Sequence, residues 1–367
     1  MLYLGMAKRR EKWVAPSVRI ERLLRERVSG MSHGEPLGTE VALAEECGVT
    51  RMTARKAVNA LIAEGLVERR AGVGLFVREK DAVTRRWRFV AGNFLWDPAI
   101  RAASAVRRAA AKIGVDVELR DAAGDMDALI GEIAALPDSG ASGAFVFSLH
   151  GSRFDDAVRA VAAKEFPLVV LDECMDARSR VNCVLSDNAL GGRLVAERVF
   201  RAGHRNLAFV GDFVADTVQE RWEGFSRLAA KLTGAKPLKY DIKGEDRLGD
   251  WECEIRAAVS RLLRRKTRPT AVFCSCDAIA RHAMRAFAEA GLSVPDDVSL
   301  VGFDDDPIAE WTTPALTTVR QDFGAMGREA VKALLARIEK PSAPGVTAKM
   351  PVELVERESL VRSAKRP

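Results

Sequence analysis

A chain of 367 residues exceeds one ordinary domain and predicts two or three compact units. With 48% hydrophobic and 29% charged residues it has material for a large core, and no run reaches the roughly 18 to 20 apolar residues of a membrane span. Residues 1–90 carry 18 Lys and Arg against 11 Asp and Glu, whereas the remainder carries 39 against 40. A basic small segment joined to a nearly neutral large one points to a polyanion as partner of the former.

The leading MLYLGMAKRREKW has its charges after a very short apolar stretch, the reverse of a secretory signal, so the chain is expected in the cytoplasm, away from membranes. Apolar positions Val18, Ile20, Leu23, Leu24 and Val28 recur at helical spacing. Residues 30–38 read as a loop. Thr39 can cap a helix over Glu40–Cys47 that Gly48 ends, and Thr50 can cap a third over Arg51–Glu64. Two short extended pieces, Leu66–Arg70 and Leu75–Arg78, flank a glycine-rich turn. Three helices and such a hairpin make a winged helix-turn-helix, placed at residues 1–80.

Residues 81–87 read as a charged linker. From Arg88 strands and helices alternate: strand 88–93, helix 98–113, strand 115–119, helix 127–136, strand 143–148, helix 155–163 and strand 168–171. A second series runs through helix 188–202, strand 207–210, helix 217–233, strand 238–242, helix 250–264, strand 270–274, helix 277–290 and strand 298–302. Repeated βαβ units predict an α/β class with doubly wound parallel sheets, here as two similar lobes with a cleft between them.

The six cysteines (47, 174, 183, 253, 274 and 276) form no CxxC pair, which argues for free thiols and against zinc. No metal-spaced His/Cys cluster, G-x-S-x-G or P-loop is present, so no catalytic residue, metal or cofactor is expected. Asp304-Asp305-Asp306 could suggest a cation, but three consecutive side chains do not readily converge on one ion.

The segment Leu37–Val77, with Gly38-Thr39-Glu40, Gly48-Val49-Thr50-Arg51, Ala54-Arg55-Lys56-Ala57, Glu64-Gly65-Leu66 and Gly72-Val73-Gly74-Leu75-Phe76-Val77, resembles the DNA-binding domain of the GntR family. Helical spacing turns Ala54, Val58, Leu61 and Ile62 inward on the third helix. Arg51, Met52, Arg55 and Lys56 then face a major groove. The hydroxyls of Thr39, Thr50 and Thr53 suit phosphates. Two positions depart from the family: Gly38-Thr39 stands for its usual Pro-Ser, and the wing tip, Gly72 to Gly74, lacks its arginine and threonine. Arg69 and Arg70 are the candidates to contact phosphate there instead.

Residues 88–361 are similar to the effector domain of LacI/GalR regulators, which has the fold of periplasmic sugar-binding proteins. The resemblance rests on Ser186-Asp187-Asn188, Gly203-His204-Arg205, Arg221-x-x-Gly224-Phe225, Gly249-Asp250-Trp251, Ser275-Cys276-Asp277, Gly302-Phe303-Asp304-Asp305, Leu316–Asp322 and Pro351–Ser359. It implies that Arg221 and Asp304 bind an effector's hydroxyls, that Trp251 stacks on a sugar ring, and that Phe94, Trp96 and Asp97 meet it from the first lobe. An arginine fork and a carboxylate can each hold two fixed hydroxyls. Cys276 occupies the place of the family's asparagine, leaving a less polar wall that suits a deoxy sugar, a substituted sugar or a ligand of another kind. His204 reads as a turn residue.

A GntR-type head on this effector domain resembles regulators of the arabinose-repressor type. The expectation is a homodimeric repressor that binds a double-stranded DNA operator under control of a small carbohydrate. Two alternatives stay open: a corepressor-dependent regulator sensing a non-sugar metabolite and, against the basic head, a sugar-transport receptor.

Overall fold

The computed structural model describes residues 16–32, 34–63, 66–70, 72–77, 86–147, 151–173, 175, 180–242 and 251–363. Contacts divide the chain into two units, one ending at Thr84 and the other beginning at Arg85.

The first unit runs α1 (Pro16–Ser29), β1 (Pro36–Gly38), α2 (Glu40–Glu46), α3 (Arg51–Ala63), β2 (Val67–Arg70) and β3 (Gly74–Val77). Its strands form an antiparallel sheet in the order β1-β3-β2. The short β1 lies where a loop is expected, held as an edge against β3. Ile20, Leu24 and Val28 of α1 pack with Leu43, Ala57, Val58, Leu61, Val67, Leu75 and Val77. Val18 and Leu23 stand beside that stripe of three and are 52% and 45% exposed, so apolarity alone misassigns them to the core. Ala57, not expected inward, is fully buried, whereas Ile62, expected inward, is only half-buried.

The second unit begins with β4 (Arg86–Ala91), α4 (Asp97–Ala111), β5 (Asp116–Asp121), α5 (Met126–Ala134), β6 (Gly143–Phe147), α6 (Ser152–Ala163), β7 (Leu168–Leu171) and β8 (Asn182–Ser186). It continues through α7 (Asn188–Arg201), β9 (Leu207–Gly211), α8 (Asp216–Thr233), β10 (Leu238–Asp241), α9 (Trp251–Leu263), β11 (Ala271–Cys274), α10 (Asp277–Glu289), β12 (Ser299–Asp304) and β13 (Thr317–Gln321). It closes with α11 (Phe323–Glu339), β14 (Thr347–Met350) and β15 (Val352–Val355).

Two six-stranded sheets result, ordered β14-β8-β7-β6-β4-β5 and β10-β9-β11-β12-β13-β15. Every pairing is parallel except that of β13 with β15. Apolar cores lie on both faces of each sheet, as parallel strands buried on two sides require. In the first lobe α4 and α11 cover one face, α5 and α6 the other. In the second, α9 and α10 lie opposite α7 and α8.

The alternation read from sequence matches these elements to within three residues. The first strand begins at Arg86, two residues inside the expected linker, because Trp87 is fully buried against Phe145. In the second unit five elements escaped the periodicity reading: β8, β13, α11, β14 and β15. All of them adjoin the places where the chain passes between lobes. After β13 in the second sheet, α11 returns to the first lobe, placing Phe323, Met326 and Leu334 in a core with Ala99, Ala102 and Val106. β14 then joins the first sheet and β15 the second. Ser186, at one crossing, donates to Gln321 Oε1 at another (2.6 Å) and ties them together.

Candidate functional site

In open α/β sheets ligands bind beyond the carboxyl ends of the strands. A cavity of about 300 Å³ lies there between the lobes. Asn93 follows β4, Asp172 follows β7, Asp212 follows β9, Ser275 and Cys276 follow β11, and Asp304 ends β12; all line it, with Trp96, Arg221, Trp251 and His282.

Arg221 is placed by glycines. A Cβ on Gly192 of α7 would lie 2.1 Å from the carbonyl oxygen of Arg221, and one on Gly224 would lie 2.1 Å from that of Ala189. The two helices therefore pack backbone to backbone, which holds Arg221 buried against β12. Its Nε donates to Asn188 Oδ1 (2.8 Å) and its Nη1 to the carbonyl of Ser275 (2.5 Å). The guanidinium lies 3.7 Å from the Phe303 ring centroid and 3.8 Å from Asp304 Oδ1. Gln321 Nε2 donates to the same Asp304 oxygen at 2.7 Å.

The backbone at Asp304 has φ 112° and at Asp305 φ 51°, values that L residues rarely adopt. The strain turns the Asp304 carboxylate toward the cavity, and such strain clusters at functional sites. Burial pushes the Asp304 carboxyl upward, and Arg221 opposes the shift. Asp277, buried behind it, is pushed up to about 8, first by burial and then by the Asp304 charge. Thr318 Oγ1 lies 2.5 Å from Asp277 Oδ1, and the Asp306 amide donates to Oδ2 at 2.8 Å. Burial likewise raises the Cys276 thiol, so that wall of the cavity is a neutral S–H.

Two indoles, Trp96 and Trp251, line the cavity, one from each lobe. Among the described residues, Trp251 Nε1 and the buried Asn93 Nδ2 have no hydrogen-bond partner. Donors left orphaned at a cavity wall suit acceptors on a ligand. Of the seven expected ligand residues, the structure brings Trp96, Arg221, Trp251, Cys276 and Asp304 together. It does not bring Phe94 or Asp97 to the lining. Phe94 packs on Phe89 at 6.0 Å, and Asp97 pairs with Arg101 one helical turn on. The intervening Leu95 lines the cavity instead. Asn93, Asp172, Asp212, Ser275 and His282 were missed; all but His282 stand within two residues of a strand's carboxyl end, which is the signal that could have found them. His204 joins Thr270 and the carbonyl of Val361 (both 2.9 Å), the turn role expected of it.

On the first unit, Thr39 Oγ1 accepts from Ala42 N and caps α2, and Thr50 Oγ1 accepts from Thr53 N (3.3 Å) at the start of α3. Arg51, Met52, Arg55 and Lys56 are all exposed on α3, Met52 at 72%. Arg51 lies 3.9 Å from Glu40, and Arg69 binds Glu40 and Asn59. Arg70 binds Glu68 (2.7 Å) and stacks on Phe76 at 4.4 Å. Among the described residues no carboxylate pairs with Arg55 or Lys56. Gly72 (φ 73°) and Gly74 (φ 141°) turn the hairpin; a Cβ on Gly74 would lie 3.1 Å from the Gly38 carbonyl oxygen.

Residues 16–77 match the bacterial regulatory proteins of the gntR family, and residues 196–360 match the periplasmic binding protein-like domain. The chain joins a gntR-type winged-helix domain to a periplasmic-binding-protein-like domain. It is 32% identical over 199 residues to the ribose operon repressor of Haemophilus influenzae, covering 54% of this chain and 58% of that one. It is 37% identical over 202 residues to the transcriptional repressor PurR of Photorhabdus laumondii, covering 54% and 57%. The chain thus spans somewhat under two thirds of these relatives' length. A LacI family transcriptional regulator from Enterococcus faecium with bound ribose has the same fold: TM-score 0.63, 22% identity, covering 76% of this chain and 99% of that one. No helix among the described residues is long and apolar enough to cross a membrane.

Proposed function

We propose that this protein is a transcription repressor, not an enzyme, that acts in the cytoplasm as a homodimer. α3 enters the major groove of a double-stranded operator, and a small polyhydroxylated effector, a sugar, binds between the lobes of the second unit. The observation that carries the reading is the cavity at the strand ends, where a buried arginine and carboxylate face two indole walls. Hydroxyls fit the first pair, and the apolar face of a sugar ring fits the second.

Effector binding shifts an equilibrium between lobe arrangements, and the sign of regulation follows which arrangement favours the operator. A single winged helix reads only a short half-site, so useful specificity requires two heads at fixed spacing and an inverted-repeat operator. The exposed Ile308 and Trp311 give the second unit an apolar patch for a subunit contact.

The test combines two measurements. Pentoses and hexoses are screened for a concentration-dependent rise in melting temperature, which binding to the native state requires. Sugars that score are then titrated into the full chain on operator DNA. A sugar that both stabilises the protein and changes operator affinity supports the reading. Stabilisation by no sugar in the panel would refute a carbohydrate effector.

A further inference from the structure

Arg101 stands on α4 in the first lobe, yet its Nη1 lies 3.1 Å from the carbonyl oxygen of Asp304 and 3.0 Å from that of Asp305, both in the second lobe. The same nitrogen lies 3.2 Å from Asp97 on its own helix and 3.6 Å from Asp306 across the cleft. The guanidinium is centred 4.5 Å over the ring of Phe323, at the start of α11 just past a crossing. One side chain therefore meets both lobes and the connection between them.

Its acceptors are the carbonyls of Asp304 and Asp305, both at positive φ, whose turned backbone points them toward α4. A guanidinium suits this place, since its planar fork can serve several oxygens and always carries its charge. It also lies beside Asp97 and Asp306, two acids from opposite lobes.

We propose that Arg101 is a positioning residue that latches the two lobes together and holds the Asp304 turn in the conformation that presents its carboxylate to the cavity. Its importance for effector response rests on reading Asp304 as an effector contact, but the latch itself is testable with no effector present. Losing the latch frees the lobes to part, and the cavity wall becomes accessible.

Cys276 reports that opening directly, because it lines the cavity and is 7% exposed. Cys274, two residues earlier, is wholly buried in the core of the same lobe and reports unfolding instead. The full-length, ligand-free protein is treated with iodoacetamide, and alkylation at each cysteine is followed by peptide mass spectrometry. In Arg101→Ala the rate at Cys276 is expected to rise at least tenfold with Cys274 unchanged. Arg101→Lys keeps the charge but is shorter and loses the flat stack on Phe323, and falls between. An unchanged Cys276 rate in Arg101→Ala would overturn the latch. So would equal acceleration at both cysteines in both variants, which would make Arg101 a support of the fold alone. If Arg101→Ala does not fold, Arg101→Lys decides by the same two rates. Failure of the sugar screen leaves these rates untouched, so the two ideas fail separately.

Discussion

On α3, Arg55 and Lys56 stand in solvent with no carboxylate partner among the described residues. Arg221 is 4% exposed and engaged by an amide oxygen, a carbonyl, a carboxylate and an aromatic face. The first arrangement leaves charge available to a large, flat polyanion whose counterions it displaces. The second fixes a guanidinium so rigidly that only a small ligand able to enter the cleft can use what remains of its donors. The two surfaces therefore differ in which property a mutation removes: affinity on the head, structure and response together in the cavity.

The largest expected effect tests the cavity side. Arg221→Ala leaves Asp304 as a buried carboxylate without its cation, and Asn188 and the Ser275 carbonyl without their donor. Breaking such a pair costs about 3–5 kcal/mol. Calorimetry of the full chain should show the transition of the second unit lowered by several degrees. Asp304→Asn keeps the shape and an oxygen for Gln321, but leaves Arg221 as a buried cation without its anion, so it too should melt below wild type. It should also fail to respond to whichever sugar the screen finds. Normal stability in Arg221→Ala would mean that the arginine is held far more loosely than its contacts imply.

The head predicts a smaller effect of another kind. Arg55→Ala should weaken operator binding by about 1–3 kcal/mol if it reads a base edge, with no change in melting. If it meets only phosphate, the loss is uniform across sequences and the slope of log affinity against log salt falls by about one. Arg69→Ala is expected to do less, because Glu40 and Asn59 already engage its Nη2. Electrophoretic shifts at several salt concentrations separate these outcomes; equal affinity in Arg55→Ala and wild type would remove α3 from the interface.

The same contrast explains what could be read before the fold was known. The head's surface comes from one continuous stretch, so helical spacing alone turned Arg51, Met52, Arg55 and Lys56 outward. The cavity is assembled from the ends of β4, β7, β9, β11 and β12 together with α8 and α9, segments up to about 200 residues apart. Periodicity gave all five of those strands, yet gave no account of the crossings at Ser186, Gln321 and Met350 that bring the strand ends together. Phe94 and Asp97 were misassigned for a local reason. The chain turns sharply between β4 and α4, and only some of the residues in that turn face the cleft.

The smallest effect concerns a carboxyl behind the cavity. Asp277 is pushed up to about 8 from an ordinary 3.8, mainly by burial. The native state therefore keeps a proton that the unfolded chain releases near pH 4, and stability falls as pH rises between those values. His204 is shifted the other way: burial lowers it, so its contribution is lost as pH falls below about 6.5. Between pH 6.5 and 8 the carboxyl acts without that opposition, and one retained proton over this interval amounts to roughly 1–2 kcal/mol. Asp277→Asn cannot titrate, but its amide can still accept from the Asp306 amide and donate to Thr318. Melting temperatures across this interval should decline by a few degrees in wild type and less steeply in Asp277→Asn. Burial likewise raises Asp304 and Asp306, so some decline persists in the variant. Identical slopes would mean that Asp277 is ionised in the folded protein, its charge held by Thr318 and the Asp306 amide. The polar layer beneath Asp304 would then be built on an anion, not on a shared proton.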